Sequence, residues 1–193
     1  MIYIDDHIWD FDLLEALDAV GPQRREYALR FKHERDRRLC VAVYRLLQQA
    51  LRQEYGMDEV PPFSFGNGGK PSLQGFPDIF FSLSHCDEAV ACAVDVQPVG
   101  IDVECIGRYD EEIAHHVMSQ DEYAAILASA QPAVAFTRLW TMKESLFKAV
   151  GDAALLPGSG DPKRMLDAGG VSQAYRFHTL VTHQWVLTCC NAR

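Results

Sequence analysis

The stretch Gly100-Ile101-Asp102-Val103-Glu104, read with Trp140-Thr141-Met142-Lys143-Glu144-Ser145-Leu146-Phe147-Lys148, decides how this chain folds. The first segment alternates apolar and acidic residues. On a strand that places Asp102 and Glu104 on one face and turns Ile101 and Val103 into a core. The second segment has the composition of a helix, with Glu144 and Lys148 one turn apart on one side. Taken singly, an Asp-x-Glu also suits a solvated strand edge, and Glu144–Lys148 an ordinary surface ion pair. Together, the carboxylates Asp102, Glu104 and Glu144 beside a lysine have the chemistry of a magnesium site that handles phosphates. Mg²⁺ takes oxygen ligands, usually one or two carboxylates, and keeps other positions for water and substrate phosphate.

Two further blocks lie upstream: Gly69-Lys70-Pro71 and Phe81-Ser82-Leu83-Ser84-His85-Cys86-Asp87. The four blocks, in order between residues 69 and 148, resemble the 4'-phosphopantetheinyl transferases of the surfactin-synthetase-activating (Sfp) type. The pattern of that family is Gly-Lys-Pro, then Phe-x-x-Ser-His, then Gly-Ile-Asp-x-Glu, then Trp-x-x-Lys-Glu-x-x-x-Lys. The resemblance covers the middle of the chain well, the first sixty residues loosely and the last forty hardly at all.

The resemblance implies an α+β fold of two similar α/β halves related by a pseudo-twofold axis, here residues 1–98 and 99–193, hinged at Gln97-Pro98. It implies Mg²⁺-dependent transfer of the 4'-phosphopantetheinyl group from coenzyme A to a serine of an apo acyl- or peptidyl-carrier protein. Asp102, Glu104 and Glu144 would share the metal. Glu144, directly or through a water, would take the serine proton, and Lys148 would stabilise or protonate the leaving phosphate oxygen. Gly69, Lys70 and Pro71 would lie along the adenine and phosphates, with Ser84 and His85 also contacting coenzyme A. A chain carrying both halves is expected to be a monomer.

Charge is informative locally. The net charge of −9 speaks against general nucleic-acid binding, yet residues 24–38 hold seven of the 18 Lys and Arg residues. Those seven against Glu26, Glu34 and Asp36 leave +4. Such an island is either a helix face laced with ion pairs or a dock for a small polyanion. The resemblance implies the second: Arg24 and Arg38, or Arg37 with a one-residue gap, fall where the family holds the 3'-phosphate of coenzyme A. Tyr27 stands where the family has a lysine. Glu122 fits a capping box begun by Ser119, and the resemblance also implies a place for it near the metal. Trp140 reads as core.

The remaining composition is that of a globular protein, 48% hydrophobic and 23% charged. The acidic amino terminus lacks the apolar run of a signal peptide, and no stretch approaches a membrane span. The six cysteines show neither Cys-x-x-Cys nor zinc spacing, so buried thiols in a reducing cytoplasm are expected. Apolar spacing predicts strands at 2–5, 63–65, 79–84, 89–95, 100–104, 174–181 and 184–190. Helices are expected at 11–20, 34–55, from Ser119, and at 133–150, with a mobile loop at 157–170. Arg38-Leu39 precedes the Phe81 hairpin by 43 residues, and Arg138-Leu139 precedes the Phe177 hairpin by 39, an echo of a duplicated unit. Two rival functions share these residues: a Mg²⁺-dependent nucleotide pyrophosphohydrolase, and a non-catalytic coenzyme A-binding module.

Overall fold

The structure is a computed structural model, which describes the chain apart from residues 67, 153–154, 157–160 and 167–170. The elements, in order, are β1 (Ile2–Asp5), α1 (Leu13–Ala19), α2 (Pro22–Leu29), α3 (Glu34–Tyr55), β2 (Phe63–Phe65), β3 (Pro71–Leu73), β4 (Phe80–His85), β5 (Val90–Asp95) and β6 (Val99–Cys105). Then come α4 (Glu111–Val117), α5 (Gln120–Ala128), α6 (Pro132–Val150), α7 (Val171–Ala174), β7 (Tyr175–Val181) and β8 (Trp185–Ala192). Single turns of 3₁₀ helix sit at Ile106–Arg108 and Pro162–Arg164. Most of the expected elements appear within two residues of their predicted ends. The short α2, α4, α7 and β3 were not expected, because each carries too little periodic apolar pattern to stand out. The loop expected at 157–170 lies largely outside the described residues.

Two antiparallel three-stranded sheets form the frame, ordered β1-β5-β4 and β6-β8-β7. Each has its first strand at one edge and its last strand in the centre, and each is crossed by a long helix. The helix α3 lays its stripe of Leu39, Val43, Leu46, Leu47 and Leu51 on the face carrying Phe81, Val90, Cys92 and Val94. On the second sheet, α6 buries Leu146 and Ala149 against Cys190 and Phe177. Between the sheets, Ala89, Ala91 and Ala93 meet Ile101, Val103, Trp185, Leu187 and Cys189. Small side chains on β5 let the two sheets approach closely, giving a helix–sheet–sheet–helix stack.

The seam between the sheets is unusual. Strands β4 and β6 form no backbone ladder with each other. Instead the hydroxyl of Ser82 accepts from the amide of Ile101 at 3.0 Å, and that of Ser84 from the amide of Val103 at 3.2 Å. These amides belong to an edge strand and would otherwise be buried without partners, a cost of about 1–3 kcal/mol each. Alternation along Phe81-Ser82-Leu83-Ser84 thus sends the aromatic and aliphatic residues to the α3 core and the serines to the seam.

A second close approach sets the position of α6. A Cβ at Gly100 would lie 1.9 Å from the carbonyl oxygen of Ser145 and 2.4 Å from the amide of Ala149. Only a glycine lets the helix backbone rest directly on the strand. The end of α6 is held in turn by the turn before β3, where a Cβ at Gly68 would strike the Gly151 carbonyl at 1.8 Å. Replacing Gly100 with Ala should therefore lift α6 from β6 and cost roughly 1–3 kcal/mol or more. Thermal unfolding reads this directly, and an unchanged midpoint would show that the contact can relax freely.

Candidate functional site

The site grows from the seam. Asp102 is almost wholly buried, at 3% exposure, on the face of β6 that Gly100 opens to α6. One carboxylate oxygen, Oδ1, accepts from Ser84 Oγ at 2.9 Å and from Lys148 Nζ at 2.7 Å. Lys148 Nζ also reaches Ser84 Oγ at 3.1 Å. The other oxygen, Oδ2, is buried with no hydrogen-bond partner. Such an orphan is rare for an acceptor of this strength and points to a missing donor, water or cation.

Glu144 sits one turn before Lys148 on α6 and faces Asp102. Burial first, and then the Asp102 charge, push its carboxyl above the usual carboxylate range, while Lys148 pulls the other way. Two neighbouring carboxylates, one with an oxygen left unsatisfied, have the donor chemistry that a hard cation requires. Glu104, two residues beyond Asp102 on the same face, lines a neighbouring cavity with Ile113, Phe136, Thr137 and Trp140. Among the described residues, no group of three or more His, Cys, Asp and Glu side chains is close enough to hold a metal ion. The three expected ligands therefore share one region without forming a ready-made cage.

A cleft leads away from Lys148. Its near part, about 260 Å³, is lined by Gly69, Lys70, Pro71, Ser82, Leu83 and Lys148. Pro71 and Leu83 continue into a larger part of about 450 Å³, which adds Arg24, Tyr27, Tyr44, Pro61, Pro62 and Phe63. Lys70 donates to the Val99 carbonyl at 2.8 Å, and burial lowers its pKa to about 8. Arg24 is clamped between aromatic rings, 5.1 Å from the Tyr27 centroid and 4.8 Å from that of Tyr44. It donates through one terminal nitrogen to the Cys40 carbonyl, and its Nε is buried and unpartnered. His85 is the last residue of β4. Desolvation, then Lys148, with a smaller push from Arg24, lower its pKa, partly opposed by Asp36.

The structure thus brings Arg24, Gly69, Lys70, Pro71 and Lys148 to one cleft, and Asp102 and Glu144 to its end. Arg38 goes elsewhere: it donates to the Phe11 carbonyl at 2.5 Å and lies over the Phe11 ring, near Trp9. Arg37 likewise bonds the Phe31 carbonyl. Ser84 is engaged with Val103, Asp102 and Lys148. Glu122 completes the capping box with Ser119 and pairs with the buried Lys143 at 2.7 Å. Lys143 also holds the Pro162 carbonyl, so it ties α6 to α5 and to the turn at 162. Trp140 is half-buried and stacks on Phe136. Residues that sequence reasoning missed are Tyr44, Pro61, Pro62 and Ser82 on the cleft wall, and the role of Gly100 behind it. The alternation of serines in β4 was the available signal for Ser82, whereas Tyr44, Pro61 and Pro62 have none.

A cleft lined by cations that ends at two carboxylates and a lysine has the chemistry to receive a phosphate-bearing ligand. A family model described as the 4'-phosphopantetheinyl transferase superfamily matches residues 98–189. A 4'-phosphopantetheinyl transferase of Bacillus subtilis is 33% identical over 175 residues, covering 89% of this chain and 78% of the relative. The 4'-phosphopantetheinyl transferase Sfp of Bacillus subtilis strain 168 is 32% identical over 174 residues, with the same coverage. The 4'-phosphopantetheinyl transferase gsp of Aneurinibacillus migulanus is 32% identical over 157 residues, covering 80% of this chain and 64% of the relative. The chain belongs to the 4'-phosphopantetheinyl transferase family, as an enzyme of the Sfp type.

The geometry makes a pH-dependent prediction. The folded-state pKa of Glu144 lies above its unfolded value, so its ionisation opposes folding. That penalty is absent below the unfolded carboxylate range, about 4.3, and grows as the pH rises through the raised folded value. With metal removed by chelator, Glu144→Gln should be more stable than the parent at pH 7–8, the two converging near pH 4. A parent more stable than the variant at neutral pH without metal would mean that ionised Glu144 does not oppose folding.

Proposed function

We propose that this enzyme transfers the 4'-phosphopantetheinyl group from coenzyme A to a serine hydroxyl of an apo acyl- or peptidyl-carrier protein, releasing adenosine 3',5'-bisphosphate. The observation that carries the reading is the buried, unpartnered Oδ2 of Asp102 facing Glu144 beside Lys148, at the end of a cleft lined by Arg24 and Lys70. Asp102 and Glu144, with Glu104 as a further oxygen donor, would hold Mg²⁺. When bound, that ion would neutralise the diphosphate and polarise the phosphorus under attack. Arg24, its guanidinium held by two tyrosine rings and one nitrogen still unpaired, is the side chain placed to meet the 3'-phosphate. In this scheme Arg38 supports the Trp9–Phe11 segment.

Lys70 and the glycines before it border the diphosphate path. Lys148, paired with Asp102 in this structure, would turn to the leaving phosphate oxygen once the carboxylate has another cation. Glu144, whose raised pKa makes it a better base than an ordinary surface carboxylate, would accept the serine proton directly or through a water. None of the six cysteines is needed as a nucleophile. The boundary between halves falls at Gln97-Pro98, between β5 and β6, and the equal strand order of the two sheets within one chain supports a monomer. No helix among the described residues is long and apolar enough to cross a membrane, in keeping with the cytoplasmic setting proposed for the enzyme.

Intact-mass measurement of an apo carrier protein with coenzyme A and Mg²⁺ tests this. The carrier should gain one phosphopantetheinyl unit, and changing its acceptor serine to alanine should stop the reaction. Asp102→Ala and Glu144→Ala should each abolish transfer, and Glu104→Ala should be milder if water takes its ligand position. Wild-type turnover of Asp102→Ala at limiting Mg²⁺ would sink the site. Coenzyme A hydrolysis without a carrier would favour a pyrophosphohydrolase, and tight binding without product across many carriers a binding module.

Arg24→Ala should raise the KM for coenzyme A by about ten- to a hundredfold, the worth of a charge-assisted contact of roughly 1.5–3 kcal/mol. Coenzyme A lacking its 3'-phosphate should show the same penalty in the parent and little more in the variant. Full additivity of the two changes would mean that Arg24 and the 3'-phosphate do not meet.

A further inference from the structure

The seam continues past the two serines. Ser82 meets Ile101 and Ser84 meets Val103, each across a separation of 19 positions. The next pair at the same offset is Cys86 and Cys105. Cys86 follows directly on β4, and Cys105 ends β6. Both belong to the layer between the two sheets, and Cys105 is near enough to contribute to the raised pKa of the Cys86 thiol. Where the seam has hydroxyl–amide bonds twice, it has a facing thiol pair at its open end.

The two sulfurs differ in access. Cys86 is buried, at 3% exposure, whereas Cys105 is half-buried and lines the cavity of about 170 Å³ beside Ile113 and Trp140. A small solute can reach Cys105 through that cavity without disturbing the core. The remaining cysteines, Cys40, Cys92, Cys189 and Cys190, are all buried.

We infer that Cys86 and Cys105 form a redox-sensitive modification site, at which a peroxide converts the thiol pair into a disulfide that staples β4 to β6. In the first step the Cys105 sulfur attacks a peroxide oxygen, the O–O bond breaks, and Cys105 sulfenic acid and one water (or alcohol) result. In the second, the Cys86 sulfur attacks the sulfenic sulfur. The S–S bond forms, and hydroxide leaves with the Cys86 proton as a second water. Two thiols lose two electrons to the peroxide, and no further reactant is required. Burial pushes the Cys86 thiol up to about 12, so the sulfur that meets peroxide first is that of the more accessible Cys105. The link would enclose a loop reaching from the end of one half to the first strand of the other.

The test treats the purified full chain with modest excess hydrogen peroxide, then alkylates and cleaves it before aspartate. That cleavage separates the peptides 78–86 and 102–109, which carry Cys86 and Cys105. The expected result is these two peptides joined, with a rise in melting temperature of about 6–10 °C for a staple of this loop size. Dithiothreitol should reverse both changes, and Cys105→Ala, at the more accessible position, should show neither. Full alkylation of Cys86 after peroxide treatment would overturn the inference. So would Cys105 oxidised alone to a sulfinate, or a melting rise that persists in Cys105→Ala. None of these readouts depends on transferase activity, so the inference stands or falls apart from the proposed reaction.

Discussion

The structure depends on keeping the charge of Asp102 inside the protein. Moving a carboxylate out of water costs several kcal/mol even after relaxation. It is tolerable here because Lys148 and Ser84 both donate to one oxygen. Each of those donors has to be delivered by a different part of the chain. Lys148 arrives because Gly100 lets α6 lie against β6, and Ser84 arrives because β4 runs along the seam. Lys148 therefore acts as an internal counter-ion, holding the site together with one oxygen left over.

Joining the sheets through serine hydroxyls has a different character from joining them through a ladder. A continuous ladder would merge the sheets and bury the gap between their ends. Discrete hydroxyl–amide bonds hold β4 and β6 side by side while leaving each sheet its own twist and helix. The cleft opens at this junction, so its wall is built from both sheets: Ser82 and Leu83 from the first, Lys148 from the helix on the second. A substrate lying there would touch elements of both sheets at once, and its binding energy would be shared across the seam.

How much of this was legible in the sequence differed by residue. Alternation in 100–104 and helical spacing in 140–148 are local patterns, so β6, α6 and their carboxylates could be read directly. The long α3 showed the same way, through its apolar stripe. What stayed hidden depends on contacts between distant segments. Arg38 carries the same charge as Arg24 in the same basic island, yet packing against Phe11 and Trp9 takes it from the cleft. Nothing in the local pattern of Ser84 says whether its hydroxyl faces a ligand or the Val103 amide. Likewise Tyr44, Pro61 and Pro62 become a wall for Arg24 only when α2, α3 and the loop after it come together. The common strand order of the two sheets is a long-range property that no local spacing in the sequence displays.

The strand order also bears on how the chain reaches this structure. In each sheet the central strand, β5 or β8, is the last of its three strands to be synthesised. Strand β1 has no partner until β5 exists, some ninety residues later, since Ile2 pairs with Ala93. Strand β6 likewise waits for β8, where Asp102 pairs with Thr188. Neither sheet can assemble gradually from its amino-terminal edge. Each must wait for one closing strand, a topology of long-range contacts that folds slowly compared with local hairpins. During synthesis β1 and β6 would stand as unpaired edges, and the short, partly charged sequence of β1, with Asp5 at its end, is suited to that wait.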